Sequence, residues 1–353
     1  SASYTGDRDS AGIYTNGDSV APGVTPSDTG VLLSTGDAED FTNSSGSSNQ
    51  SNSTSTNTSG QNNNGQFNAA AGTRTFDASY LDVEFIPTGD VMTMQFVFSS
   101  EEYPEFQNSI YQDFVGVWVN GQQVEMEVCN FDTDPGNINT TNNINMFIDN
   151  TNDDFNTEMD GFTITLTLTM PVTSGQLNSI RIGIADVSDN RYDSNLLIAG
   201  DSVQTSLVAI GDDVNVYPDG VTSFNVLDND VSPVGSVLTI THINNQPVSY
   251  DPVPGIGTTI TLPTGQQVTV GANGQLTVAG DGDEEDFNFT YTVTDGNNTD
   301  VGFVNATSIP CFVAGTLIST PEGEVAVETL GEGNLVLTQD DGPQPLRWIG
   351  TRT

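Results

Sequence analysis

The sequence predicts an all-β protein: two tandem β-sandwich domains followed by a short, incomplete β-rich segment. Three observations lead there. Apolar residues recur with period two in run after run; Thr and Asn fill the alternate positions; and Gly, Asn, Asp and Pro punctuate the runs at short intervals. Phe162, Ile164, Leu166, Leu168 and Met170 alternate with Thr163, Thr165, Thr167 and Thr169, the pattern of a strand with one buried and one wet face. β-branched Thr on the second face favours strand over helix. No amphipathic helical pattern longer than a couple of turns is visible.

In chain order, the first domain spans residues 1–205. Met92, Met94, Phe96 and Phe98 form one apolar face, and Ile180, Ile182 and Ile184 form another. Residues 42–66 are all Ser, Thr, Asn, Gln or Gly, which bury little surface, so this stretch is expected to be a long flexible polar insertion. A second series of short strands covers residues 206–308, with segments at 237–243, 258–262, 267–270, 275–279 and 287–294. Phe287, Phe289, Tyr291 and Val293 alternate there with Asn288, Thr290, Thr292 and Thr294. About a hundred residues with this rhythm is the size of an immunoglobulin-like sandwich. The pattern changes again at Ile309-Pro310-Cys311, opening a third segment over 309–353. The two cysteines, Cys129 and Cys311, fall in different segments and are not expected to pair.

The formal charge is -41, from 47 Asp and Glu against 6 Arg and no Lys. Most carboxylates therefore lack a basic partner and must meet water, cations or one another. Nucleic-acid phosphates need a basic footprint, so nucleic acid is excluded as a partner, and anionic membrane surfaces are disfavoured. No apolar run is long enough to span a membrane. The chain opens Ser-Ala-Ser-Tyr, the look of a processed or truncated start. Two readings of the charge stand side by side: adaptation to salty water, where screening removes most of the repulsion, and calcium binding by hard oxygen ligands.

Two groups of carboxylates sit at predicted strand ends. Glu101 and Glu102 follow the Met92–Phe98 strand, and Asp186, Asp189 and Asp193 follow the Ile180–Ala185 strand, with Asp113 opening the next strand. Ca²⁺ takes six to eight oxygens at about 2.3–2.6 Å, and strand ends joined by short polar loops can converge them. The competing reading is solvated turn residues capping their own backbone, one of them neutralised by Arg191. Paired carboxylates also occur in glycoside hydrolysis, which leaves a carbohydrate-binding sandwich as an alternative. Asp132-Thr-Asp134-Pro-Gly136 lacks the remaining ligands of an EF-hand loop, and Asp281–Asp286 reads as a solvated hairpin loop. The single histidine, His242, lies in a predicted strand with no second His or Cys near it in sequence, so no zinc site is expected.

Several strings carry resemblances. Ala11-Gly-Ile-Tyr14, Thr29-Gly-Val-Leu-Leu-Ser-Thr-Gly36, Asp77-Ala-Ser-Tyr-Leu-Asp-Val-Glu-Phe85, Phe96-Val-Phe-Ser-Ser-Glu-Glu-Tyr103, Asp113-Phe-Val-Gly-Val-Trp118, Asp160-Gly-Phe-Thr163, Ile182-Gly-Ile-Ala-Asp-Val-Ser-Asp189 and Tyr192-Asp-Ser194 resemble the bacterial choice-of-anchor L domain in order and spacing. That resemblance implies a secreted or cell-surface protein and names no biochemical activity. Asp212-Asp213, Asn225-Val-Leu-Asp-Asn-Asp230, Gly274-Gln-Leu-Thr-Val278 and Phe289-Thr-Tyr-Thr-Val-Thr-Asp-Gly296 resemble the Ig-like or cadherin-like modules of bacterial surface proteins. Such modules are spacers or adhesive units, and the resemblance implies a junction calcium at Asp212, Asp213, Asp228 and Asp230. From Cys311 the sequence resembles the opening of a Hedgehog/intein (Hint) domain. In that family the first Cys attacks the preceding carbonyl, here that of Pro310, to form a thioester. A Thr and a His from a later motif assist the step, and no His follows Cys311 before Thr353.

The expectations are therefore a secreted or cell-surface structural or adhesive protein, bound to Ca²⁺ through Glu101, Glu102, Asp113, Asp186, Asp189 and Asp193. Its partners would be a cell surface, a matrix or other copies of itself. The alternative is an autoprocessing protein whose intact parent cleaves or transfers at the Pro310-Cys311 bond, with Cys311 as the nucleophile.

Overall fold

The computed structural model describes residues 1–42, 51–124, 133–309, 315–338 and 342–347. Residues Ser1–Ser308 form one compact unit and Ile309–Thr353 a second. The expected all-β class holds in both.

The first sandwich is built from β1 (Ala2–Thr5), β2 (Ala11–Thr15), β3 (Thr29–Ser34), β4 (Thr75–Phe85), β5 (Val91–Ser100), β6 (Phe114–Val119), β7 (Gln122–Gln123), β8 (Phe147–Asp149), β9 (Gly161–Thr163), β10 (Leu166–Pro171), β11 (Asn178–Val187) and β12 (Ser194–Ala199). One sheet has the order β1-β4-β11-β6-β7. The other has the order β2-β3-β12-β5-β9-β8, with β10 also paired to β5. Met92, Met94, Phe96 and Phe98 from β5 face Val115, Val117, Val119, Ile180, Ile182 and Ile184 across the core. The outer faces are covered as well. Phe67, from the short helix Gly65–Ala71, packs on Ala78, Tyr80, Phe114 and Trp118, while Phe41, Met159 and Phe162 pack on Leu32, Val97 and Leu197. Every residue of β6 and β12 is consequently buried, and neither strand shows a polar/apolar alternation: β6 is apolar throughout and β12 is apolar from Leu196 to Ala199.

The second sandwich has a five-stranded sheet in the order Asp212–Val216, Thr299–Ser308, Phe287–Thr294, Thr239–Ile243, Gln246–Pro247. A four-stranded sheet in the order Val221–Asn225, Gln275–Ala279, Gln267–Val270, Thr259–Thr261 accompanies it. Its first and last strands pair in parallel, Asp212 opposite Val304 through Val216 opposite Ser308.

One expectation fails instructively. The run Phe162–Met170 is not one strand: β9 pairs with the end of β5 and β10 with its first part, Val91 to Phe96, with Ile164 and Thr165 between them. Its Thr face is exposed only at Thr169. Thr163 and Thr165 are buried, and Thr167 donates to Asp300 of the second sandwich (3.4 Å). Asn245 reaches Thr165 (3.2 Å), Asn145 reaches the Asn288 carbonyl (2.8 Å), and Gln95 reaches the Thr299 carbonyl (3.0 Å). The polar faces of the two sandwiches are thus turned toward each other and satisfied by side-chain hydrogen bonds, as burial demands.

Among its described residues the second unit carries two hairpins, Leu317–Thr320 with Gly323–Ala326 and Leu335–Thr338 with Gly342–Pro345.

Candidate metal centre

Strand register explains why carboxylates far apart in sequence meet. β5 and β12 are antiparallel neighbours with Ser100 opposite Ser194, so Glu101 and Glu102, just past β5, flank the same sheet end as Asp193, just before β12. In the other sheet Ala185 of β11 lies opposite Phe114 of β6, which sets Asp186 beside Asp113. β4 completes the group. Ser79 pairs with Ile184 but Phe76 with Asp186, so β4 holds one extra residue there. Such a bulge re-aims a side chain. Asp77 sits in it with φ 45°, a left-handed conformation uncommon outside Gly, Asn and Asp.

Asp77, Glu101, Glu102, Asp113, Asp186 and Asp193 are all at most 3% exposed. Glu102 Oε2 accepts from the Asp113 amide (2.9 Å), and Asp113 accepts from the Val187 amide (3.0 Å) and from Ser194 Oγ (2.8 Å). Ser100 Oγ accepts from the Glu102 amide (2.9 Å) and hydrogen-bonds Ser194 Oγ (2.8 Å). Among the described residues, four carboxylate oxygens in the cluster, Asp77 Oδ1, Glu101 Oε2, Asp186 Oδ1 and Asp193 Oδ2, are buried without a hydrogen-bonding partner. The sixth sequence candidate, Asp189, lies at the rim, where its Oδ1 accepts from the Arg191 amide (3.2 Å) in a turn. Among the described residues the ion pair is Arg181 with Asp82 (2.8 Å), and no arginine side chain pairs with any acid of the cluster.

The polar stretch expected to be flexible covers this cluster. Residues 51–60 run outside both sheets with Thr54, Thr56 and Thr58 turned partly inward and Ser53, Ser55, Asn57 and Ser59 outward. The inward backbone amides bind carboxylates in succession: Thr54 to Glu101 Oε1 (2.8 Å), Thr56 to Asp193 Oδ1 (2.7 Å) and Thr58 to Asp77 Oδ2 (3.3 Å). Asp193 returns an amide to the Thr54 carbonyl (3.0 Å), and Ser59 reaches Asp7 (2.8 Å). Gln61 then forms a bridge to Ala78, inside the bulge. The strap lies close: a Cβ on Gly60 would stand 2.7 Å from the Asp77 backbone, and one on Gly36 would stand 1.9 Å from Asp193 Oδ2. Residues 43–50 of the same stretch lie outside the described residues.

Burial dominates the electrostatics. It pushes Glu101 up to about 8 and Asp193 up to about 6, against the amide donors that pull them down. Asp186 goes well up through burial and the charges of Asp113, Asp77 and Asp193. Burial raises Glu102, helped by the charges of Asp186, Asp189 and Asp134, and burial raises Asp113, helped by the charge of Glu102. At neutral pH such a group must hold protons or take up a cation. Among the described residues no three or more His, Cys, Asp or Glu side chains stand close enough together to hold a metal ion.

Elsewhere, Asp230 accepts from the Ile210 amide (2.8 Å) and the Tyr291 hydroxyl (2.9 Å), and Asp212 joins it; burial pushes these acids up to about 6 and about 7. Asp213 and Asp228 are exposed. His242 is a strand residue whose Nδ1 meets Thr241 Oγ1 (3.0 Å). Cys129, Asp132, Pro310 and Cys311 lie outside the described residues. Sequence reading missed Asp77 and the strap; the signal available for Asp77 was an Asp in an otherwise β-forming string, a residue depleted from regular strands.

Residues 1–204 match the choice-of-anchor L domain, residues 204–307 the bacterial Ig domain and residues 310–353 the Hint domain. No curated protein matches. Among solved structures, extracellular domains 3–5 of Drosophila OTK are similar at 10% identity over 70% of this chain and 78% of that one, with a TM-score of 0.21. The pilus backbone RrgB from Streptococcus pneumoniae is similar at 11% identity over 65% of this chain and 51% of that one, with a TM-score of 0.15.

Proposed function

The chain belongs to the choice-of-anchor L domain family, and from that premise we propose that it is an extracellular structural or adhesive protein of the bacterial surface whose first sandwich is held together by calcium. The observation that carries the calcium reading is the set of buried, unpartnered carboxylate oxygens on Asp77, Glu101, Asp186 and Asp193. Glu102 and Asp113 supply further acceptors beside them, and Asp189 stands at the rim. Calcium suits this group better than magnesium. It accepts an irregular, oxygen-only shell, whereas magnesium demands near-octahedral geometry and sheds water reluctantly. The bacterial Ig domain that follows serves as a spacer docked on the first sandwich. The protein would act by presenting a rigid folded surface to a cell, a matrix or other copies of itself.

Titration calorimetry of the full chain with Ca²⁺, paired with melting curves in chelator, tests this reading. Binding heat and a higher melting temperature with calcium are expected. Absence of both removes the reading.

A second reading is favoured by the Hint match, which begins at Pro310, one residue before Cys311. In a parent chain carrying a whole Hint domain, the Cys311 thiol would attack the Pro310 carbonyl and convert the peptide bond to a thioester. The parent with Cys311→Ala is then expected to stay uncleaved on a gel while the unsubstituted parent is processed. Equal processing of both sinks the idea.

A further inference from the structure

The two ends of the first sandwich are unlike, and β11 runs from one to the other. Its ten residues span about 33 Å at 3.3 Å per residue. An apolar knob stands at its start. Asn178 pairs with Phe85, so Leu177 and Ile86 come together one position beyond the sheet, 65% and 66% exposed. A single exposed apolar residue is ordinary, but this pair is held out on braced turns. The Gly175 amide donates to the Pro87 carbonyl (2.9 Å), Ser174 Oγ to the Thr88 carbonyl (2.9 Å) and the Ser174 amide to Asp90 Oδ1 (3.0 Å). Glu84 and Asp90, both exposed, flank the knob, and neither turn contains an arginine.

At the far end of β11, Val187 and Ser188 line a cavity of about 450 Å³ with Ala70 and Ala71 of the short helix, Ile110 and Phe114. Ile110 forms its lip and is 72% exposed. This end is braced too: Ser188 gives its amide to the Arg74 carbonyl (2.9 Å) and its hydroxyl to the Ile110 carbonyl (3.1 Å). Arg74 and Arg191 come from the turns at Thr73 and Ser188 that line the cavity. Both are exposed, and neither is in an ion pair among the described residues; Arg74 lies over the Phe76 ring. Asp134 in the cavity wall and Asp189 beside Arg191 balance them.

We propose that the knob of one copy seats in the cavity of the next, so that the chain assembles head to tail through its first sandwich. The proposal rests on the structural reading above, names another copy as the partner, and makes no use of calcium.

The fit is both chemical and geometric. Two branched aliphatic side chains leave water for walls of Ala, Ile, Phe and Val, the exchange that drives association. Glu84 and Asp90 arrive at the end that carries Arg74 and Arg191, a complementarity that orients the contact in a chain of 47 acids and 6 arginines. Knob and cavity are different surfaces at opposite ends of one strand. Each contact therefore leaves a free knob and a free cavity on the pair, the geometry of an open chain rather than a closed dimer. The contact is small, so a single joint is weak. The net charge of -41 opposes it until salt screens the repulsion.

Sedimentation of the full chain, in chelator and reductant, tests this. Monomer is expected in about 0.01 M salt, where charges act over about 30 Å. In about 1 M salt, where they act over about 3 Å, species that grow past the dimer with protein concentration are expected. Leu177→Asp spoils the knob and Ile110→Asp the lip of the cavity. Both side chains are exposed, so each variant should keep its melting temperature while association weakens about tenfold or more, the scale of losing a central anchor. Mixing the variants is the sharpest arm. Each is monomeric alone, but Ile110→Asp retains a knob and Leu177→Asp a cavity, so together they should form dimers and nothing longer. A chain that stays monomeric in high salt, assembly that ignores both substitutions, or a mixture that fails to pair overturns the proposal. None of these outcomes touches the calorimetric test of calcium, so the two readings fail separately.

Discussion

Ser59 and Thr54 lie five residues apart on one strap, and each gives its backbone N–H to a carboxylate, 2.8 Å in both cases. The two carboxylates end at opposite extremes. Asp7, at the open rim, is pulled down to about 2 by the Asp9 and Ser59 donors, whereas Glu101, in the interior, is pushed up to about 8 by burial. Asp7 takes the Asp9 amide and the Ser59 hydroxyl as well and stays in water, whereas Glu101 loses its water, and that loss outweighs the donors it receives. An amide offers a fixed partial charge, and that is too little to replace the hydration of a carboxylate inside a protein. The rim end of the strap is therefore complete as it stands, and the inner end is complete only with an ion or protons.

Four outcomes break or sharpen this contrast. The largest concerns calcium itself. At pH 8 and calcium near a hundredfold its dissociation constant, linkage adds about 2.7 kcal/mol. For a unit of this size that raises the melting temperature by roughly 5–10 °C at 2–4 °C per kcal/mol. Equal melting in calcium and chelator at pH 8 would contradict it.

The second outcome is the pH dependence in chelator. Glu101 and Asp193 have folded values of about 8 and about 6 against ordinary values of 4.5 and 3.8. The native state therefore holds their protons more tightly than the unfolded chain, and stability falls as pH rises between the ordinary and the folded values. The melting temperature without calcium should decline from pH 5 to pH 8.5, and the gain from calcium should grow over the same span. Asp7 runs the other way: its contribution is full above 3.8 and is lost as pH falls through about 2. A chelated protein that gains stability toward pH 8.5 would reverse the contrast.

Third, Gly36→Ala places a Cβ against Asp193 Oδ2. Overpacking of this kind costs about 1–3 kcal/mol, and calcium affinity should drop with it. Denaturant unfolding with and without calcium separates the two effects. Smallest is Asp7→Asn at the rim, which weakens a solvent-exposed contact and should cost under about 1 kcal/mol, with calcium affinity nearly unchanged. A large loss of affinity in that variant would mean that the rim and the interior are not distinct.

Much of this was legible beforehand, and the limits are physical. The strand faces of Met92–Phe98 and Ile180–Ile184 are visible because alternation records a half-buried strand directly. The acids at strand ends, Glu101, Glu102, Asp113, Asp186 and Asp193, are visible because strand ends and polar loops leave a local signature. Asp77 is not, because its orientation depends on a bulge, and a bulge is a property of two paired strands rather than of one. The strap is hidden for a related reason. Its Ser, Thr and Asn side chains bury little, and it is held through backbone amides, which carry no sequence signal. The Thr face of residues 163–167 misleads because hydrogen bonds to a neighbouring module can replace those to water, and hydropathy does not distinguish the two.

The parallel pairing of Asp212–Val216 with Thr299–Ser308 has a mechanical consequence. The chain enters the second sandwich at the start of one of these strands and leaves it at the end of the other. In a parallel pair those points lie at opposite ends of the ladder. Tension along the chain would then drag the two strands past each other, loading all the hydrogen bonds between them at once instead of peeling them off singly. A fold wired in this way resists stretching in shear, the direction in which a tether between a cell and its surroundings is pulled.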